Sequence, residues 1–156
     1  MSKSKPLKKW HLIVFASILV IALIFRIYQY VWPKAIVKIG GLEIKVLVAN
    51  TPGHLFEGWS NKKDMGKYQG MLFVFTDEGE HAMVMRSMEF PLDIVWIDRT
   101  KIVEIAPNLQ PEPGKTEAEL TPYFSSHPSN FVLELPAGFV EKTGVKIGDT
   151  VGFSKI

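Results

Sequence analysis

The chain contains no cysteine in 156 residues. That absence excludes disulfides, thiolate metal sites and cysteine nucleophiles, so any site must be built from His, Asp, Glu, Ser or backbone groups. It does not decide the compartment, because an extracytoplasmic domain of ordinary size can fold without disulfides. Phosphate-binding loops, a Gly-x-Ser-x-Gly nucleophile turn and paired-carboxylate signatures are also missing. No repeat or low-complexity tract is present, which removes solenoid and linker architectures. Acidic residues are absent before Glu43, and this asymmetry changes how the charge is read. The formal net charge is +2, yet five basic residues (Lys3, Lys5, Lys8, Lys9, Arg26) fall in the first 32 positions. Beyond them 13 basic residues face 16 acidic ones. A mildly acidic domain without a Lys/Arg cluster is a poor binder of phosphate backbones, so no nucleic-acid partner is expected.

What the N-terminus does have is a membrane-type segment. A basic tail over residues 1–9 precedes an uncharged run from Trp10 to Phe25, and an apolar, aromatic stretch continues past Arg26 to Trp32. The 20 residues from Leu12 to Val31 would rise roughly 30 Å as a helix, enough to span the hydrocarbon core. Arg26 sits near the far end, where its side chain can snorkel, and Tyr28, Tyr30 and Trp32 would form an aromatic belt there. A cleaved signal peptide is the competing reading, since the purely apolar run is short. Such peptides need small residues at alternate positions after that run, and Ile24, Phe25, Arg26, Ile27 and Tyr28 do not supply them. The expectation is an uncleaved signal anchor over residues 10–32, in contact with the bilayer. Its basic side stays cytoplasmic, which puts residues 34–156 outside the cytoplasm.

The remainder is long enough for one core. Ala35 to Ile39 and Leu42 to Ala49 alternate around Gly40-Gly41, predicting a β-hairpin with positive φ at its turn. Thr51-Pro52 predicts a helix N-terminus. Met71 to Phe75, His81 to Met88, Leu92 to Ile97 and Lys101 to Ala106 read as strands. Residues 107–128 hold five prolines and read as one long loop, the natural place for binding residues. Phe131 to Leu135 reads as a strand, Ala137 to Thr143 as a short helix stopped at Gly144, and Thr150 to Phe153 as a last strand. The predicted fold is mainly β, a small barrel or sandwich with two short helices, preceded by one transmembrane helix.

Three stretches carry a family resemblance: GMLFVFTDEGEHAMVMRSMEFPLDIVWID from Gly70 to Asp98, LELPAG from Leu133 to Gly138, and GVKIGD from Gly144 to Asp149. Together they resemble the domain of unknown function 192 family, over about residues 42–153. Gly58, Gly70, Met71, Leu72, Phe73, Met85, Pro91, Leu92, Asp93, the run Glu134 to Gly138 and Gly148-Asp149 match its pattern. The resemblance implies an arginine where Trp59, Ser60, Asn61 and Lys62 stand. It also implies an aromatic pair, and an Asn-Thr pair whose positions here hold Ser87 and Met88. A pocket wall that is polar in the family is thus apolar here, implying a different ligand or a lost activity. The resemblance brings no agreed activity with it.

Among chemical candidates, Asp93 follows Pro91-Leu92 at a strand mouth, where a carboxylate can act as a general base or hold a cation. An aspartate after proline more commonly fixes a turn by accepting backbone N–H groups. His81 enters a strand and could pair with Asp93 as a catalytic couple, with Arg86 as an anion clamp; a solvated strand-end histidine is the ordinary alternative. Arg86, Asp93 and Tyr123 are the candidate binding residues. His54, His81 and His127 show no metal-ligand spacing, so neither a metal nor a cofactor is expected. Ser125, Ser126 and Ser129 lie beside His127, but neighbours in one loop rarely achieve triad geometry. Met83, Met85 and Met88 read as core or as a flexible apolar ligand surface. Three functions remain open: an envelope binding or interaction domain for an unknown protein or small molecule, an envelope hydrolase using Asp93 and His81, and a structural subunit of a membrane complex.

Overall fold

A computed structural model describes residues 9–29 and 31–155. The chain divides into two compact units, Met1–Trp32 and Pro33–Ile156. In the first, Lys9–Gln29 forms helix α1, the one helix among the described residues long and apolar enough to cross a membrane. A signal sequence would satisfy the same criterion. Three of the basic-tail lysines and the Tyr30 belt position lie outside the described residues, and the Tyr28 side chain is likewise not described.

The second unit is built on a seven-stranded sheet with strands β1 (Lys34–Ile39), β2 (Leu42–Ala49), β3 (Gly70–Gly79), β4 (Leu92–Asp98), β5 (Lys101–Leu109), β6 (Ser129–Pro136) and β7 (Val151–Lys155). Their spatial order is β5-β4-β6-β3-β2-β1-β7. The β1–β2 hairpin closes through Gly40 and Gly41 at φ 57° and 82°, as a two-residue glycine turn requires. Helix α2 (Pro52–Glu57) starts at Thr51, whose hydroxyl accepts the His54 N–H at 3.2 Å, and lies in the crossover to the parallel strand β3. The sheet is a curled half-barrel rather than a sandwich. Its two edges, β5 and β7, are pinned at one end, where Lys101 pairs with Thr150 and the Val151 N–H reaches the Thr100 carbonyl at 2.8 Å. Inside the curl sits a core of Val37, Ile44, Val46, Leu72, Val95 and Leu133 with their neighbours.

The opposite face of β3, β4 and β6 is buried too. Met71, Ile94, Trp96 and Glu134 are covered there, although strict alternation would give them to solvent. The cover is the segment His81 to Met88, which is not a strand. Met83 and Met85 are buried at the two-residue spacing of a strand, but only Met83 makes a β contact, a lone bridge to Tyr123. Ser87 has φ 48°, which interrupts an extended run. Two boundaries also differ from expectation. β5 runs on through Pro107 to Leu109, because Ile94 pairs with Ala106 while Leu92 pairs with Leu109, a bulge on an edge strand where proline costs no ladder bond. Helix α3 occupies Phe139–Thr143, beginning after Gly138 in a left-handed conformation.

Among the glycines, Gly70 has the least room for a side chain. A Cβ at that position would lie 2.5 Å from the Glu134 carbonyl oxygen and 3.1 Å from a Leu135 methyl. The obstacle is backbone in a central strand pair and cannot step aside. Gly70→Ala is therefore expected to cost about 2–3 kcal/mol by overpacking. Chemical denaturation would measure it, and a midpoint equal to that of the parent would contradict this account of the β3–β6 contact.

Candidate functional site

Asp93 is fully buried, and its carboxylate is committed to the backbone. Oδ1 accepts the N–H groups of Asn108 at 2.8 Å and Gly138 at 3.1 Å, and Oδ2 accepts that of Val140 at 2.8 Å. The β5 bulge leaves the Asn108 N–H without a ladder partner, and Asp93 takes it while also capping the start of α3. One side chain thus joins β4, β5 and α3. A shallow depression of 220 Å³ borders it, but both oxygens are already occupied.

His81 lies elsewhere. Its ring stacks on Phe75 at 3.6 Å, its Nε2 lies 3.2 Å from the Asp77 carbonyl, and its own carbonyl accepts the Trp96 indole N–H at 3.0 Å. Trp96 and Asp93, three residues apart, project from opposite faces of β4. The structure therefore does not bring His81 and Asp93 together as a proton-exchanging pair. Ser126 does meet His127, with Oγ 3.0 Å from Nδ1, but the same hydroxyl donates to Glu104 at 2.7 Å. That bond holds the Glu104 carboxyl below its ordinary range. A triad would instead place the carboxylate on the far imidazole nitrogen. Among the described residues no group of three or more His, Asp or Glu side chains is placed to hold a metal ion.

The arrangement with chemical potential is a cavity of 320 Å³ on the covered face. Helix α2 and the turn after it supply Leu55, Phe56 and Trp59, β3 supplies Phe73, and the 82–88 segment supplies Met83 and Met88. The carboxyl of Glu134, from β6, also lines it. Glu134 is 4% exposed, and its Oε2 has no hydrogen-bond partner among the described residues. Burial alone pushes its pKa up to about 8, so the carboxyl is neutral at pH 7. The buried Trp59 Nε1, on another lining residue, also lacks a partner among the described residues.

Arg86 closes the rim. Its guanidinium forms a two-pronged ion pair with Glu117, donates to the Phe56 carbonyl at 2.8 Å, and lies 4.0 Å over the Phe56 ring. The Glu117 partner raises the Arg86 pKa further. This pair and the Met83–Tyr123 bridge fasten the proline-rich segment against the cavity wall. The segment is internally tied as well, with Glu112 accepting from Lys115 and Thr121 and drawn down to about 2 by those bonds. Tyr123 serves through its backbone and is not among the lining residues. Lys62, near the place of the missing arginine, pairs on the surface with Glu57 at 2.9 Å.

A family model for domain of unknown function 192, described as "Uncharacterized ACR", matches residues 35–153. The chain belongs to that family. Two solved structures share the fold. A candidate transcription regulator from Sinorhizobium meliloti 1021 is 27% identical with a TM-score of 0.67, covering 80% of this chain and 95% of its own. A protein of unknown function from Novosphingobium aromaticivorans DSM 12444 is 24% identical with a TM-score of 0.65, covering 78% of this chain and 84% of its own. Among curated proteins no match was found. In this DUF192 chain Met88 stands at a position that the family resemblance makes polar, and it faces the cavity. Glu134 was placed by sequence only within the LELPAG junction, not as a site residue. The available signal was an acid between Leu133 and Leu135 in a strand whose both faces are apolar.

Proposed function

We propose that the protein is a single-pass membrane protein that holds a small-ligand binding domain outside the cytoplasm. The observation that carries the binding role is the unpartnered carboxyl of Glu134 in a walled cavity of 320 Å³. That volume is at the small end of the range of ligand sites, about 300–1,000 Å³. A buried polar atom without a partner costs stability, and a ligand that supplies the partner recovers it. The hydrolytic alternative lacks a site, since Asp93 is saturated by three backbone donors. Transcriptional regulation is not carried over from the Sinorhizobium protein, because residues 34–156 bear more acidic than basic groups. A scaffold role keeps one supporting observation, an apolar groove of 280 Å³ bordered by Val48, Leu72, Phe131 and Phe153.

Placement and binding are tested together. Because the chain has no native thiol, Gln110→Cys provides a single one on an exposed residue. A membrane-impermeant maleimide added to intact bacterial cells, after outer-membrane permeabilisation, is expected to label it. Labelling only after lysis of the inner membrane would refute the extracytoplasmic placement. Binding is read by NMR of the full chain in detergent against a fragment library of amines, alcohols and carboxylates. Hits on the parent are expected to vanish in Ala82→Trp, which fills the cavity mouth from an exposed position. If no fragment distinguishes the two proteins, the cavity is not a ligand site.

A further inference from the structure

Resting on the cavity reading above, we infer that the ligand is a small organic ammonium ion whose positive charge pairs with Glu134 between the rings of Trp59 and Phe73. Three charged side chains line the space: Glu57, Arg86 and Glu134. Glu57 points its charge at Lys62, and the charge of Arg86 is paired with Glu117, with three of its five N–H groups engaged by Glu117 and the Phe56 carbonyl. An anionic ligand would therefore meet the Glu134 carboxyl and a guanidinium whose charge is already paired. The walls contributed by Leu55, Phe73, Met83 and Met88 offer no hydrogen bonds to a sugar or a polar amide. They do suit alkyl groups on nitrogen, and aromatic faces attract such cations. Glu134 supplies the missing counter-charge, buried at 4% exposure with Oε2 unsatisfied. The class is thus a compact amine or quaternary ammonium.

The pH dependence has a sign that separates this reading from its nearest rival. Burial pushes the Glu134 carboxyl up to about 8. A quaternary ammonium, which does not titrate, binds the ionised carboxylate, so its affinity climbs roughly tenfold per pH unit below about 8 and levels off above. A neutral acceptor would bind the protonated acid, and its affinity would stay level below about 8 and fall above it. Arg86 at the rim and Glu57 at the end of α2 are the other charged groups facing the space, and His54 is buried on α2. A Glu134→Gln variant separates their contribution from that of Glu134.

Choline and its uncharged isostere 3,3-dimethylbutan-1-ol are titrated calorimetrically into the full chain in detergent from pH 6 to pH 9. We expect choline to bind at least tenfold more tightly than the alcohol at pH 9, with affinity rising through pH 8. We expect Glu134→Gln, checked for folding by its thermal transition, to abolish both the preference and the rise. Equal affinity for the two probes, or affinity falling with pH, overturns the ammonium assignment while leaving the cavity as a binding site. Failure of both probes to bind also overturns it, and the fragment comparison with Ala82→Trp then decides separately whether the cavity binds anything.

Discussion

Replacing Glu134 by glutamine makes the domain more stable above neutral pH and flattens the pH dependence of its stability. The folded carboxyl titrates near 8 against an ordinary value of 4.5. Between those values the unfolded chain releases a proton that the folded chain retains, so the Glu134 contribution is most favourable below about pH 4.5 and is lost as pH rises towards 8. Above pH 8 both states are ionised and the loss is complete, about 5 kcal/mol as an order-of-magnitude figure. The amide of glutamine cannot ionise, so the variant escapes this loss, although its own buried amide still costs something without partners. A net gain of about 2–4 kcal/mol at pH 8 is expected, shrinking towards zero or reversing near pH 4.5. Denaturant midpoints for both proteins across this range provide the comparison. Parallel curves would mean that Glu134 is already satisfied or solvated.

Asp93→Ala has the opposite sign and a comparable size. It removes the acceptor for the N–H groups of Asn108, Gly138 and Val140, and it opens a small void under the β5 bulge. Hydrogen bonds to a charged acceptor contribute about 1.5–3 kcal/mol each, and stranded donors lose their hydration as well. The cost is expected at about 3–5 kcal/mol, enough to unfold a marginally stable domain. Asp93→Asn keeps one acceptor oxygen and should lose less. Hydrogen exchange identifies the cause, since the Asn108 and Val140 amides should lose protection in Asp93→Ala more than amides of β1 and β2 do. Uniform loss of protection, or a cost below about 1 kcal/mol, would contradict the role of Asp93 as a junction between β4, β5 and α3.

What the sequence made legible was local. The Gly40-Gly41 hairpin and the Thr51 cap are decided by residues two or three apart, and both stand as expected. The mainly β architecture followed from the density of short apolar runs between turn signals. Errors arose where a tertiary partner decides. Met83 and Met85 have strand spacing because the segment that carries them is buried on one side, and a covering segment and a sheet strand share that period. Pro107 looked like a strand terminator because its tolerance depends on a bulge opposite Asp93 and on the edge position of β5. Glu134 escaped notice as a functional group for the same reason. Its chemistry comes from Trp59, Phe73, Met83 and Met88, which lie roughly 45 to 75 positions earlier in the chain, and from burial that no local pattern records.

The proposed binding role rests on Glu134 being a buried acid without a hydrogen-bond partner among the described residues. The most direct test is its titration, followed by NMR of the side-chain carboxyl in uniformly ¹³C-glutamate-labelled full chain, with Glu134→Gln used to assign the signal. A midpoint near 8 is predicted for the free protein, moving down when choline is added. A midpoint in the ordinary carboxylate range, unchanged by ligand, would mean that Glu134 already has its partner and that the cavity has no vacancy to fill.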